Sequence, residues 1–170
     1  MVLLQLFIVG VLGLICYQDM RYRAVYWVCF PALAVLLCVE KQANIGLVDT
    51  LIDAAYGALF LGFQLMLLWL YFAIKNKRSI DITKEHLGLG DILFLLSIIF
   101  YLSPVNYLMF YIGSLIIVLG YALVLQLGLN KADLQIPLAG IQAFLFGILY
   151  IVSITCSNLK LYTDFWIYGR

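Results

Sequence analysis

The sequence predicts an all-α polytopic membrane protein with six transmembrane helices, and both its composition and its long uncharged runs indicate this class. Of 170 residues, 66% are hydrophobic and only 11% are charged, and the mean hydropathy is +1.09. A soluble domain averages about 45–50% apolar and about 25% charged residues. No soluble fold of this length has an interior large enough to bury so much apolar surface. We therefore expect a single domain, residues 1–170, in a lipid bilayer.

Six apolar stretches are the candidate spans. A helix that crosses about 30 Å of hydrocarbon needs about 20 apolar residues. Residues 92–129 contain no charge, and Pro104 divides them because proline disfavours helix in the residue before it. Helices are expected since every backbone polar group in lipid must be paired within its own segment. The predicted spans are 2–18, 24–39, 51–74, one from about 92 that ends near Tyr101, one over about 106–128, and 136–155.

The basic residues fall unevenly on the two sides of this topology. Seven of the ten lysines and arginines follow the first, third and fifth spans. Because cytoplasmic loops carry an excess of Lys and Arg, these loops are expected in the cytoplasm and both termini outside it. Lys41 is one of the three basic residues assigned to the outer side. The first apolar run is expected to be a retained span, since no basic residue precedes it and no small-residue cleavage site follows it.

Two aspartates lie at the ends of predicted spans, where placing a charge costs free energy. Asp19 closes the first span, and Asp91 opens the fourth in Gly88-Leu89-Gly90-Asp91. Each also has a purely structural interpretation. Asp19 can be an interfacial carboxylate balanced by nearby arginines, and Asp91 can be a helix N-cap after a glycine turn. Both fall on the cytoplasmic side, however. Two converging carboxylates cannot both ionise cheaply, so one holds a proton while the other acts as a base. Such a pair can activate water and protonate the leaving nitrogen of a peptide bond.

Other chemistries have weak support. His86 is the only histidine, and the four cysteines form no C-x-x-C pair, so no metal or other cofactor is expected. The net charge of +1 predicts no nucleic-acid partner. Asp49 and Asp53 lie at the start of the third span, where carboxylates suit the helix dipole, and are interpreted as structural. Three glutamines within spans either bond between helices, which is the favoured interpretation, or contact a substrate: Gln64, Gln126 and Gln142.

The motif around Asp91 resembles the second catalytic motif of the type IV prepilin peptidases, the G-x-G-D aspartyl proteases of bacterial and archaeal membranes. Residues 83–91 carry this resemblance as Thr-Lys-Glu-His-Leu-Gly-Leu-Gly-Asp. Residues 19–25 resemble the first motif of the family, and residues 136–140 are similar to the Ile-Pro segment before its last helix. The resemblance covers residues 10–145. Val25-Tyr26-Trp27 replaces the usual Ile-Pro-Asn, and Leu93 replaces a frequent lysine.

The resemblance implies an aspartic endopeptidase of the inner (cytoplasmic) membrane, with Asp19 and Asp91 as its catalytic dyad. Its partners would be prepilin-like precursors, whose basic leader it cleaves at the cytoplasmic face without a cofactor. Residues that would bind substrate or shape the site are Arg21, Arg23, Lys84, Gly88, Gly90 and Pro137. An equal interpretation of Arg21, Arg23 and Lys84 is that their charges only set the topology. The chain lacks the paired C-x-x-C segment with which larger family members N-methylate the trimmed pilin.

Two alternatives stay open at this level. One is a small proton-coupled transporter, which would be expected to show inverted repeats or interrupted helices near the bilayer midplane. The other is an inactive peptidase-like assembly factor that keeps its intramembrane carboxylates. The sequence leaves the oligomeric state, the pilin substrate and the methylation of the product undetermined.

Overall fold

The computed structural model describes residues 1–76, 88–129, 137–156 and 160–164. Within these ranges all regular secondary structure is helical. In chain order the helices are α1 (Val2–Tyr22), α2 (Cys29–Ile45), α3 (Leu47–Asn76), α4 (Leu89–Ile98), α5 (Pro104–Leu129) and α6 (Leu138–Thr155). The predicted break in the long uncharged run is confirmed, because α4 ends five residues before Ser103 and α5 begins at Pro104.

Four of these helices are long and apolar enough to cross a membrane: Val2–Tyr22, Leu47–Lys75, Pro104–Val124 and Leu138–Thr155. A third or less of each candidate span is buried within the protein, so most of its apolar surface faces outward, as a lipid-facing surface does. The predicted second and fourth spans correspond to shorter helices. α2 has 17 residues and α4 has 10, which at 1.5 Å per residue is about 25 and about 15 Å.

The centre of the fold is the pairing of α1 with α6, the most extensive contact between any two described helices. Each presents buried side chains at spacings of three and four residues, which places them on one face. On α1 they are Ile8, Leu12 and Ile15, and on α6 they are Ala139, Ala143, Phe146 and Tyr150. α2 packs against α1, α3 and α4, while α5 packs against α3 and α6. The helices thus run back and forth so that polar residues collect at two ends.

We name these ends by their buried carboxylates. At the Asp19 end, α1 finishes while α4 and α6 begin. At the Glu40 end, α2 finishes beside the start of α1, where the Gln5 amide donates a 3.1 Å hydrogen bond to Glu40. Gln5 and Asp19 are 14 positions apart in α1, which corresponds to about 21 Å. The two ends are therefore distinct places in the fold.

Candidate active site

Asp19 lies in the last turn of α1 and is only 9% exposed. Its Oδ2 accepts a hydrogen bond of 2.5 Å from the backbone N–H of Gly140, in the first turn of α6. This contact depends on glycine. A Cβ added at Gly140 would lie 3.0 Å from both Cβ and Oδ2 of Asp19 and 3.3 Å from Cγ of Met20. The missing side chain is what allows α6 to approach the carboxylate.

Asp91 lies in the first turn of α4, but it is not the N-cap. That position is taken by Gly88, whose carbonyl accepts the Asp91 N–H at 3.0 Å. The backbone N–H groups of Gly88 and Ala139 instead lie near the Asp91 carboxylate and stabilise its ionised form. The approach to Gly88 resembles the reach back to the N-cap that a carboxylate at the third helical position makes. A Cβ at Gly88 would lie 3.0 Å from Oδ2 of Asp91, so this glycine leaves room for the side chain to fold back.

The two carboxylates meet at the N-terminus of α6. Asp19 accepts a hydrogen bond from Gly140, and the Asp91 carboxylate lies near the N–H of the preceding residue, Ala139, so both carboxylates approach the first turn of α6. The first N–H groups of a helix lack partners within it and carry a partial positive charge, which favours anions. Asp91 also lies within electrostatic range of Asp19. Residues 72 positions apart in the sequence are thus held side by side on a third helix.

Pro137 is the N-cap of α6. As a proline it has no N–H, so the first free donors come from the residues that follow it. The family resemblance singled out this residue as shaping the site, and its position at the head of the carboxylate-binding turn is consistent with that. Gly90 has a looser environment, since a Cβ there would only contact the Phe30 ring at 3.7 Å.

The basic residues predicted to bind substrate or shape the site make no described ion pair with the two carboxylates. Arg21 is exposed and donates a 2.7 Å hydrogen bond to the hydroxyl of Tyr17, while its guanidinium lies over the rings of Tyr17 and Tyr22. Arg23 ends α1 in a left-handed conformation with φ 52°, and its N–H donates to the Asp19 carbonyl at 2.9 Å. Lys84 lies outside the described residues. Arg21 and Arg23 therefore border the site on its surface side.

A cavity of about 320 Å³ opens beside Asp91 between α3, α4, α5 and α6. Its walls are mostly leucine side chains, and the polar residues that line it besides Asp91 are Gln64, Tyr71, Tyr111 and Gln142. Gln142 is fully buried, and its amide nitrogen donates to the Ser114 hydroxyl at 3.2 Å. The Oε1 atoms of Gln64 and Gln142 are buried without a hydrogen-bond partner among the described residues. Sequence reasoning favoured packing for these two glutamines and gave no reason to place them beside Asp91.

A second polar cluster, which sequence reasoning missed, is buried at the Glu40 end. Lys41 is 0% exposed, forms an ion pair of 2.7 Å with Asp53 and donates to the Leu102 carbonyl at 3.0 Å. Glu40 accepts hydrogen bonds from Gln5 and from the Tyr150 hydroxyl. Lys41 is therefore not the exposed loop charge that the topology assumed. The available signal was the adjacent Glu40-Lys41 pair at the end of an apolar run.

No group of three or more metal-binding side chains that could hold an ion occurs among the described residues. The arrangement at the Asp19 end is instead that of two carboxyl groups aligned by backbone donors. Comparisons of the chain with protein-family models, with curated proteins and with solved structures found no match.

Proposed function

We propose that the protein is an intramembrane aspartic endopeptidase in which Asp19 and Asp91 form one acid–base unit. The observation that carries this proposal is the approach of both carboxylates to the N-terminus of α6, where Asp19 accepts the N–H of Gly140 and Asp91 lies near the N–H of Ala139. Each comes from a different helix, and neither has a cation within its described hydrogen bonds. Close carboxylates without a neutralising partner favour a state in which the pair holds one proton.

The pair would hydrolyse a peptide bond without a covalent intermediate. The ionised carboxylate takes a proton from a water molecule as its oxygen attacks the carbonyl carbon. The protonated partner gives its proton to the amide nitrogen as the carbon–nitrogen bond breaks. The products are a free carboxyl group and a free amine, and the pair is left with one proton, as it began. The α6 N–H groups hold both carboxylates in the orientation that this exchange needs.

A purely structural role explains the same hydrogen bonds in another way, since carboxylates commonly cap helix N-termini. Two features favour catalysis. Two acidic side chains share one helix terminus, where a single neutral cap would satisfy the backbone at less electrostatic cost. A cavity also adjoins one of them, and catalytic carboxyls need access to substrate. The location of both at one end of the bundle favours hydrolysis over transport, which places carboxylates near the midplane.

The substrate class and the setting follow from the resemblance to prepilin peptidases. The proposed substrate is a prepilin-like precursor with a short basic leader, cleaved at the cytoplasmic face of the inner membrane. In that topology α2 and α4, with their flanking residues, complete six crossings. Asp19, Arg21 and Arg23 then face the cytoplasm, and the exposed arginines lie where an acidic substrate residue next to the cut would pass.

The test is cleavage of a synthetic precursor peptide, with a lysine-rich leader ending in glycine and a following apolar segment, by purified protein. Asp19→Asn and Asp91→Asn keep an oxygen that accepts the α6 hydrogen bond but remove proton exchange. Each is expected to lower kcat at least about 100-fold, with the double variant scarcely worse, because groups that act as a unit are lost with the first removal. The wild-type pH profile is expected to be bell-shaped, with limbs that belong to the pair.

The matched control is Asp49→Asn, an exposed first-turn aspartate of α3 at the Glu40 end. It should cleave as the wild type does. If Asp19→Asn cleaves at nearly the wild-type rate while Asp91→Asn is inactive, the two aspartates do not act as a dyad, and Asp19 has only a capping role. A wild-type protein that cleaves no precursor peptide at any pH would contradict the peptidase proposal itself.

A further inference from the structure

Two residues that line the cavity beside Asp91 carry an acceptor that the fold leaves unused. Gln142 has no exposed surface, and its Oε1, like that of Gln64, lacks a hydrogen-bond partner among the described residues. A buried polar atom without a partner costs free energy, so such atoms are uncommon and call for an explanation. Both residues line the same cavity as Asp91. A ligand that brings N–H donors into this cavity would satisfy both atoms once the two side chains turn toward it.

The remaining walls restrict what that ligand is. They are chiefly leucine and isoleucine side chains, so the ligand must be mostly apolar. The volume of about 320 Å³ lies at the lower end of the range of about 300–1,000 Å³ for ligand pockets. An extended stretch of apolar polypeptide meets both requirements, because its side chains are apolar and its backbone N–H groups are regularly spaced donors. A helical stretch does not fit, because its N–H groups are already bonded within the helix.

Cleavage within a membrane creates such a stretch. A helix has to unwind before a dyad can reach one of its carbonyl carbons, and unwinding frees N–H groups that water cannot satisfy in a dry site. We propose that Gln64 and Gln142 accept hydrogen bonds from these freed backbone N–H groups, and that the cavity holds the apolar residues that follow the cut. This inference rests on the proposed peptidase function and extends it by assigning a substrate-binding subsite.

The geometry of α6 links this subsite to the dyad. The N–H of Ala139 lies near the Asp91 carboxylate, and Gln142 lies three residues further on, which places both on one face of the helix. A chain bonded to Gln142 would therefore run alongside Asp91. The second acceptor approaches from α3, where the Gln64 side chain lies near the Tyr111 hydroxyl. The two amides thus come from different helices, α3 and α6, and both residues line the same cavity.

The experiment combines protein and substrate changes. The protein variants are Gln142→Met and Gln64→Met, which keep side-chain length but remove the amide oxygen, with Gln5→Met at the Glu40 end as the matched control. The substrate is the synthetic precursor peptide, made with a single backbone ester in place of the amide at each of the second to fifth residues after the cut, so that the scissile amide itself is unchanged. An ester removes one N–H donor and leaves the side chain unchanged.

With the wild type, an ester at the position that faces each glutamine is expected to lower kcat/KM about three- to tenfold, the effect of one lost hydrogen bond. The same ester should have no further effect on the matching Met variant, because the two changes remove one shared interaction. A Gln142→Met protein that is merely misfolded would lower cleavage of every substrate equally. It would also still respond to the ester.

Three outcomes are distinguishable. Cleavage by the wild type with coupled ester and glutamine effects supports the subsite. Cleavage in which the ester effects are the same in wild type, Met variants and the Gln5→Met control overturns the subsite and leaves the peptidase proposal intact. No cleavage of any peptide by the wild type overturns the peptidase proposal and the subsite with it.

Discussion

Gly140 is the position where a single methyl group tests the geometry of the carboxylate site. Replacing it with alanine adds a Cβ 3.0 Å from both Cβ and Oδ2 of Asp19, and 3.3 Å from Met20. These distances are shorter than ordinary van der Waals contacts, so Asp19 or the start of α6 has to move by a few tenths of an ångström. Gly147 lies two turns further along the same helix and has nothing within 4 Å of its added Cβ. It is the matched control.

The expected magnitudes combine two opposing effects. Glycine to alanine in a helix gains about 1 kcal/mol from helix propensity, and this gain applies to both positions. Overpacking a close contact costs about 1–3 kcal/mol, and this cost applies only to Gly140. We therefore expect Gly147→Ala to raise the free energy of unfolding by up to about 1 kcal/mol. Gly140→Ala should lower it by about 1 kcal/mol, the middle of the combined range.

The effect on cleavage should be larger than the effect on stability. A misplacement of about 1 Å in a reacting group costs about 100-fold in rate, so a shift of a few tenths of an ångström at Asp19 should lower kcat by about tenfold. The assays are unfolding in detergent micelles and cleavage of the synthetic precursor peptide. If Gly140→Ala is as stable and as active as Gly147→Ala, α6 does not approach Asp19 as described.

Two further predictions concern the Glu40 end and the topology. Asp53→Asn leaves the buried Lys41 without the carboxylate of its ion pair and should lower the free energy of unfolding by about 3 kcal/mol. The exposed control, Asp49→Asn, should change it little. If the two variants are equally stable in detergent, the ion pair does not stabilise the fold. For the topology, Ala24→Cys and Ala43→Cys place exposed thiols at opposite ends of α2 in a background without the native cysteines. Only the Ala43 variant should react with an impermeant thiol reagent in intact cells, and labelling of the Ala24 variant would overturn the proposed orientation.

The sequence alone predicted the helical class and the break before Pro104. Both predictions depend only on the composition and on the backbone restrictions of proline, which need no tertiary contacts. The sequence was also sufficient to select Asp19 and Asp91 as a pair. It did not show what brings them together, which is the glycine at position 140. Its role appears only when α6 is packed against α1, since a glycine in an apolar span looks the same whether it faces a carboxylate or lipid.

The buried cluster around Lys41 was missed for a related reason. In a soluble helix, polar residues mark the outward face, but in lipid the outward face is as apolar as the core. The spacing of apolar residues along the sequence therefore does not indicate which side of α2 is buried. The charges of Glu40 and Lys41 were assigned to a loop because α2 was expected to end at residue 39, whereas the helix continues to Ile45. The longer helix carries both side chains inward.

Between the two polar ends, the paired helices α1 and α6 form an apolar layer. From Leu6 to Cys16, α1 carries only apolar side chains and glycine, as does α6 from Ala143 to Leu149, and the ring of Phe146 packs edge to face against that of Phe94 on α4 at 6.4 Å. Protons need a chain of polar groups or water to cross such a layer. A proton path between the two ends would therefore have to follow α3, α4 and α5, which carry Gln64, Ser97 and Ser114, and not the α1–α6 pair that joins Asp19 to the rest of the fold.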